Sequence, residues 1–265
     1  MRRTRPAALL IGLLFALALA GCADDSSSPT TPAAEAPVLP DPARLTFDFS
    51  FFDEAAGLDQ TKAAGRYDHF VNAYLRVALL DLLARLALTP PVTAFAAALH
   101  TPPSHQDDGA WIWVYTHVDG DQELRIRLRG LPIAGGVEWE LRVTAPGLDN
   151  AVWFTGTTAN DGAEGAWTFR DPATDPELEV ATIAWGQGAA GRFLSFEVLA
   201  GEDAGDQLTF FDNDPEYSVT HLDADLDRRS FITWWADGHG SLQVPDHNGG
   251  AVACWDAAFM NAACD

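Results

Sequence analysis

From Trp111 to Trp255 the chain alternates apolar and polar residues in short runs, each closed by glycine, aspartate or asparagine. Alternation with period two gives a strand one apolar face. Trp111–Val118 and Gln122–Arg129 flank Val118-Asp119-Gly120-Asp121, and Asp-Gly between two such runs is a strong hairpin signal. With Val118 facing Asp121, Trp111, Trp113 and Tyr115 are predicted to lie opposite Leu128, Ile126 and Leu124. Gln122–Arg129 and Val137–Thr144 form a second predicted hairpin. Placing Leu128 opposite Val137 creates three pairs of opposite charge, Arg127/Glu138, Arg125/Glu140 and Glu123/Arg142. Each such pair contributes roughly 0.2–1 kcal/mol, enough to choose a register. Trp139, Trp153 and Trp167 then recur every fourteen residues, a strand plus its turn. Further strands are expected at Leu178–Trp185, Arg192–Leu199, Gln207–Asp212, Glu216–Leu222, Ser230–Trp235, Ser241–Val244 and Ala251–Trp255, separated by turn-forming residues.

The preceding part reads differently. Leu45-Thr46-Phe47-Asp48-Phe49-Ser50-Phe51 alternates and predicts an edge or return strand. From about Thr61 the period becomes helical. Phe70, Val71, Tyr74, Leu75, Val77, Leu79, Leu80, Leu82, Leu83, Leu86 and Leu88 surround a thin polar set of Asp68, Asn72, Arg76, Asp81 and Arg85. A helix this apolar is expected to be covered nearly all round. The polar side chains rule out a membrane span at Tyr67–Leu88. Thr89-Pro90-Pro91 is expected to end the helix and Val92–His100 to form a second, shorter one. About eleven or twelve strands in succession without an intervening helix predict an antiparallel meander that must curl to protect its edges. The expected fold is therefore α+β, mainly β: a half-open barrel wrapped around an apolar N-terminal helix.

Residues 1–21 have the three parts of a secretory leader: Arg2, Arg3 and Arg5, the apolar run Ala7–Ala20, and a small-residue end. Leu19-Ala20-Gly21-Cys22 resembles the lipobox of bacterial lipoproteins. The resemblance implies cleavage before Cys22, acylation of that residue (palmitate among the chains) and anchoring to a membrane. Each buried methylene of such chains contributes about 0.8 kcal/mol. Residues 22–43 are rich in Ser, Thr, Pro and Ala and read as a disordered tether. In Gram-negative lipoproteins an aspartate directly after the cysteine favours the inner membrane. Here Ala23 comes first and Asp24 second, which favours the outer membrane. Residues 44–265 are expected to form a single domain, helical over 44–105 and β over 106–265. Its architecture resembles the outer-membrane lipoprotein carriers and receptors, whose incomplete barrels are covered by helices and hold acyl chains.

Charge narrows the partners. The chain has 38 Asp+Glu and 16 Lys+Arg, and removing the three leader arginines leaves 13 basic residues, of which Lys62 is the one lysine. Such a field repels phosphate backbones, so nucleic acid is not an expected partner. Cys22 is taken up by the lipobox, and Cys254 with Cys264 are expected to form a disulfide suited to an oxidising, extracytoplasmic compartment such as the periplasm.

The motifs of catalysis are missing. No nucleophile elbow, zinc-protease helix, phosphate loop or dinucleotide fingerprint occurs, so no catalytic residue, cofactor or metal ligand is assigned. His69, His100 and His105 lack metal-ligand spacing. Asp223-Ala224-Asp225-Leu226-Asp227 opens like a calcium loop but has Arg228 where glycine is needed and Trp234 where a glutamate belongs. Asp237-Gly238-His239-Gly240-Ser241 reads as a hairpin turn. Nine tryptophans are expected chiefly in the core, with Trp111, Trp113, Tyr115 and Trp139 as candidate ligand-facing residues. Three roles follow in order of preference: a non-catalytic envelope scaffold or binding module that meets a protein or hydrophobic ligand, a carrier of lipid, and a polysaccharide or peptide hydrolase.

Overall fold

The computed structural model describes residues 35–55, 65–119, 122–171, 175–189 and 191–264. The leader, Cys22 and the early tether lie outside them. From Glu35 onward the chain is one compact unit, so the packed part begins before the expected boundary at residue 44.

The fold is mainly β, a curved antiparallel meander of fourteen strands that does not close. The strands run β1 (Ser104–His105), β2 (Trp111–Asp119), β3 (Gln122–Ile133), β4 (Gly136–Ala145), β5 (Leu148–Ala159), β6 (Gly165–Asp171), β7 (Asp175–Gly188), β8 (Gly191–Val198), β9 (Gln207–Asn213), β10 (Glu216–Asp223), β11 (Arg228–Trp235), β12 (Gly240–Gln243), β13 (Ala253–Trp255) and β14 (Asn261–Ala262). Strands β7 to β13 fall close to their expected positions. The two-residue strands β1 and β14 were not expected, being too short to show a period.

Both hairpin registers differ from expectation while every side chain keeps its face. In the first hairpin Trp113 pairs with Leu128 and Tyr115 with Ile126. In the second, Leu128 meets Leu141, Arg129 meets Glu140, and Arg127 meets Arg142. The expected pairs Arg127/Glu138, Arg125/Glu140 and Glu123/Arg142 do not form. The cause is the turn. β3 continues through Gly130 to Ile133, which pairs with Gly136 across a two-residue Ala134-Gly135 connection with Gly135 at φ 86°. Positive φ at the second central residue is what a type II turn requires, and glycine supplies it. Gly130 thereby lies opposite Trp139, and the indole lies over the glycine. Arg142 pairs instead along its own strand with Glu140, at 2.7 Å, and holds that carboxyl below its usual range.

The glycine–tryptophan contact recurs. Gly156 lies between Trp139 and Trp167, Gly165 opposite Trp185, and Gly240 between Trp234 and Trp255. A bare backbone on the concave face leaves room for an indole. Six of the nine tryptophans (Trp113, Trp139, Trp167, Trp185, Trp234 and Trp255) are buried there. Indole N–H groups of three of them donate internally: Trp139 to Thr158 Oγ1 at 2.9 Å, Trp185 to the Gly162 carbonyl at 3.4 Å, and Trp255 to the Gly238 carbonyl at 3.0 Å. Trp153 breaks the fourteen-residue rhythm, because the β4–β5 register shifts there and steps over it.

The interior is filled by a segment that the sequence assigned to the sheet. Pro42–Leu45 is a 3-10 turn, residues 46–49 are extended but unpaired, and α1 spans Ser50–Ala55. Leu45, Phe47, Phe49 and Phe52 are buried, with Asp48 exposed between them. The alternation was real, yet it reports one apolar face and not strand pairing. Phe49 meets Phe210 edge-on at 5.6 Å and Phe52 meets Trp234 at 5.0 Å. At its start the segment passes the β5–β6 turn, where Pro40 lies beside Gly162.

Helix α2 (Asp68–Ala98) runs on through Pro90 and Pro91, against expectation. Proline removes its own N–H donor but holds φ near the helical value, so the path continues at a cost. The helix is not wrapped by the sheet. It packs on β2 and β3 near one edge and on β12, β13 and β14 at the other, spanning the open seam. Phe70, Ala73, Val77 and Leu80 face inward, whereas Leu75 and Leu79 are exposed. Leu82, Leu83, Leu86 and Leu88 lie outside the described side chains. Among the described residues no helix is long and apolar enough to cross a membrane.

The glycine fit is testable. A Cβ at Gly156 would come within 2.2 Å of the Ala166 carbonyl oxygen and 2.3 Å of Trp167, whereas one at Gly147 meets nothing within 4 Å and suffers only its φ of 85°. Urea unfolding should show Gly156→Ala losing about 2–3 kcal/mol or more, as overpacking does, and Gly147→Ala about 1–2 kcal/mol.

Candidate functional site

Concave-facing positions of β8 to β11 form rungs that change character along the barrel. Leu194, Phe210, Val219 and Ile232 make an apolar rung. The next holds Phe196, Leu208, His221 and Ser230. Beyond it lie Val198 and Asp206, joined by a 3.0 Å backbone hydrogen bond, and the paired residues Asp223 and Arg228. Parity therefore points His221, Asp223, Arg228 and Ser230 inward, on the same faces as core residues.

These rungs line a cleft of about 490 Å³, roofed by Arg76, Leu79 and Leu80 of α2 and bounded by Pro245 and Asp246. Its floor is apolar: Phe196, Val198, Leu208, Val219 and Ile232. Leu79 is 57% exposed, and the surface it leaves uncovered faces this space. That volume, over an apolar floor bordered by polar and charged side chains, is that of a small-molecule site.

Charge is divided between the walls. Arg76 donates to Asp246 at 2.6 Å and to the Asn72 carboxamide oxygen at 2.9 Å. The Arg76 hydrogen bond, with Arg76 and Arg228 nearby, keeps the Asp246 carboxyl below its usual range. On the other wall Asp206 accepts from the Ala224 N–H at 2.8 Å, and its second oxygen lies 3.8 Å from His221 Nε2. Asp203 stands beside it on the β8–β9 turn.

The expected ligand-facing residues lie elsewhere. Trp113 and Trp139 lie tilted against each other, ring centroids 5.8 Å apart, in the filled core. Trp111 is half-buried against His105, and Tyr115 is partly buried, which raises its phenol pKa. None of the four lines the cleft, nor does any other tryptophan. The residues that do line it carry no motif of their own in the sequence. The available signal was polar residues at inward parity on the adjacent strands β10 and β11. Cys254 and Cys264 form a disulfide with Cα atoms 5.3 Å apart, beside β14. The Asp223–Asp227 run is a turn, Asp223 accepting from the Leu226 N–H at 3.0 Å. Asp237 and His239 are hydrogen-bonded on the β11–β12 turn, where His239 stacks on Trp235 at 4.4 Å. Among the described residues no cluster of side chains is placed to hold a metal ion.

A latch adjoins the cleft. His69 Nδ1 and His247 Nε2 are 2.9 Å apart, and the His69 N–H donates to the Asn261 carboxamide at 3.0 Å. Two imidazoles share a hydrogen bond only while at least one is neutral. Burial, then the charge of His247, lowers the His69 pKa, with Asp68 opposing. For a depressed folded pKa, this contribution to stability is present above the unfolded value near 6.5 and is lost as pH falls through the folded value. Thermal unfolding should accordingly show an acid-induced loss below about pH 6.5 that is smaller in His247→Gln.

Comparison with protein families, with curated proteins and with solved structures finds no match to this chain.

Proposed function

We propose that the protein is a lipid-anchored, extracytoplasmic envelope protein that binds a small hydrophobic ligand, without catalysis, in the cleft beneath α2. The cleft carries this reading. An apolar floor held open at about 490 Å³, with a helix as roof, is what a hydrophobic ligand needs and what a scaffold alone does not. Carriage of a lipid is the stronger form of the same idea, and with the half-barrel interior filled by the Phe47–Phe52 segment it falls to the cleft beneath α2 to hold the chain. A glycoside hydrolase would call for a pair of carboxylates in a cleft with aromatic platforms for the sugar, and no tryptophan lines this one.

The address rests on Leu19-Ala20-Gly21-Cys22 after an apolar leader and on the Cys254–Cys264 pair, which suits an oxidising compartment. Ala23 after the cysteine favours the outer membrane where the cell has one. Labelling cells with radioactive palmitate should mark the protein, and Cys22→Ser should abolish the label and move the chain to the soluble fraction. Retention of the label by that variant would refute the anchor.

Binding is checked on the non-acylated Cys22→Ser chain with Nile red, a neutral apolar dye whose fluorescence rises in dry sites. Saturable enhancement is expected. Ser230→Trp should fill the cleft and reduce the affinity about tenfold or more, the order of one lost apolar contact area. Unchanged binding with the fold intact would place the dye elsewhere and refute the site.

A further inference from the structure

We infer that the ligand of this cleft is a cationic amphiphile, an apolar body with an ammonium or similar head, an inference that rests on the cleft being a binding site. Three observations converge on this chemistry. First, apolar and charged positions are graded along the barrel. Val219 and Ile232 lie deepest, Leu208 and Phe196 next, and the charged side chains gather at the open end. A ligand following that grade has one apolar end and one charged end.

Second, the lining is acidic in sum. It holds Arg76 and Arg228 against Asp203, Asp206, Asp223 and Asp246.

Third, the charges are unevenly placed. Arg76 is engaged with Asp246 and Asn72, while Arg228 stands opposite Asp223 in the β10–β11 register and contributes to the field at Asp246. The lining thus sets four carboxylates against two guanidinium groups, of which Arg76 is already held by Asp246. Asp206 and Asp203 have no arginine or lysine partner among the described residues; His221 at 3.8 Å is the nearest basic group to Asp206. These two carboxylates stand at the β8–β9 turn, directly beyond Val198 and Leu208 of the floor. A cation seated there gains a partner that the protein does not supply, while an anion would meet the net negative charge of the lining. Desolvating a charge without such a partner is costly.

The probes are octylammonium, 1-octanol and octanoate, which share one tail and differ in head charge. Calorimetric titration of the Cys22→Ser chain at low salt should give octylammonium binding about fivefold tighter than 1-octanol, with octanoate weaker than both. Asp203→Asn should reduce octylammonium affinity about twofold or more and leave 1-octanol unchanged. Asp203→Asn with Asp206→Asn should remove the preference altogether. Because Asp206 also accepts from the Ala224 N–H, the single Asp203 variant keeps the test independent of that turn. Salt near 0.5 M should erode the preference by screening. Equal binding of all three probes, preference for octanoate, or Nile red binding with no octyl compound bound would each overturn the cationic head and leave the hydrophobic site standing. Failure of Nile red as well would remove the site itself, and the two failures are thereby told apart.

Discussion

An open curved sheet has a concave apolar face that must be kept from water, and here the aromatic segment from Phe47 to Phe52 does this. Phe49 meets Phe210, Phe52 meets Trp234 and Phe70, and Phe70 reaches Trp255 and Phe259. One continuous set of rings joins the N-terminal segment, β9, β11, β13, α2 and the C-terminal loop. Fully burying one such side chain contributes roughly 1.5–3 kcal/mol. Without it the indoles of Trp234 and Trp255 would face an empty half-barrel. The same segment explains the position of α2. With the interior occupied, the helix can bury only one stripe and is left to bridge the seam between β2–β3 and β12–β14.

The open seam also accounts for the C-terminal architecture. A closed barrel pairs its first and last strands and has no edges. This sheet ends instead in the very short strands β1 and β14, too brief to template pairing with another chain. The Cys254–Cys264 disulfide ties β13 to the segment just past β14, and Asn261 caps the start of α2 through the His69 N–H. The last strand is thus fastened both to its neighbour and to the helix that covers the gap.

How far the fold could be read from the sequence follows from what each pattern encodes. Alternation fixes which residues share a face, and it located β7 to β13 closely and kept Arg125 and Glu140 on one side of the sheet. It does not fix how far one strand slides along the next. That depends on turn length and on which residue accommodates an indole, and charge pairing at a few tenths of a kcal/mol is outweighed by both. Arg127 consequently faces Arg142, a like-charge pair that the sequence argued against. Phe47-Asp48-Phe49 shows the same limit more sharply, since an unpaired extended segment with one buried face has the pattern of a strand. The cleft was harder still. Large aromatics drew attention to Trp113 and Trp139, whereas the informative residues were His221, Asp206 and Ser230, polar side chains at positions whose parity belongs to the core. Seeing them required knowing that β9, β10 and β11 are neighbours and in which register.

The cleft and the closure of the seam share side chains, and this couples them. Arg76 belongs to the roof of the cleft and, through Asp246, to the contact between α2 and the chain following β12. Leu80 faces both the cleft and the buried side of the helix. A ligand resting on Leu208 and Ile232 and covered by Leu79 and Leu80 would touch the sheet and the helix together, and its binding energy would add to whatever holds α2 across the seam. On the proposed reading the converse would hold by the same linkage: a substitution that loosens the latch at His69 and His247 would lower the population able to bind, and apparent affinity would fall by that fraction. An open barrel sealed by a separate helix gains this coupling from its construction, which a closed barrel, held by strand pairing all the way round, would lack.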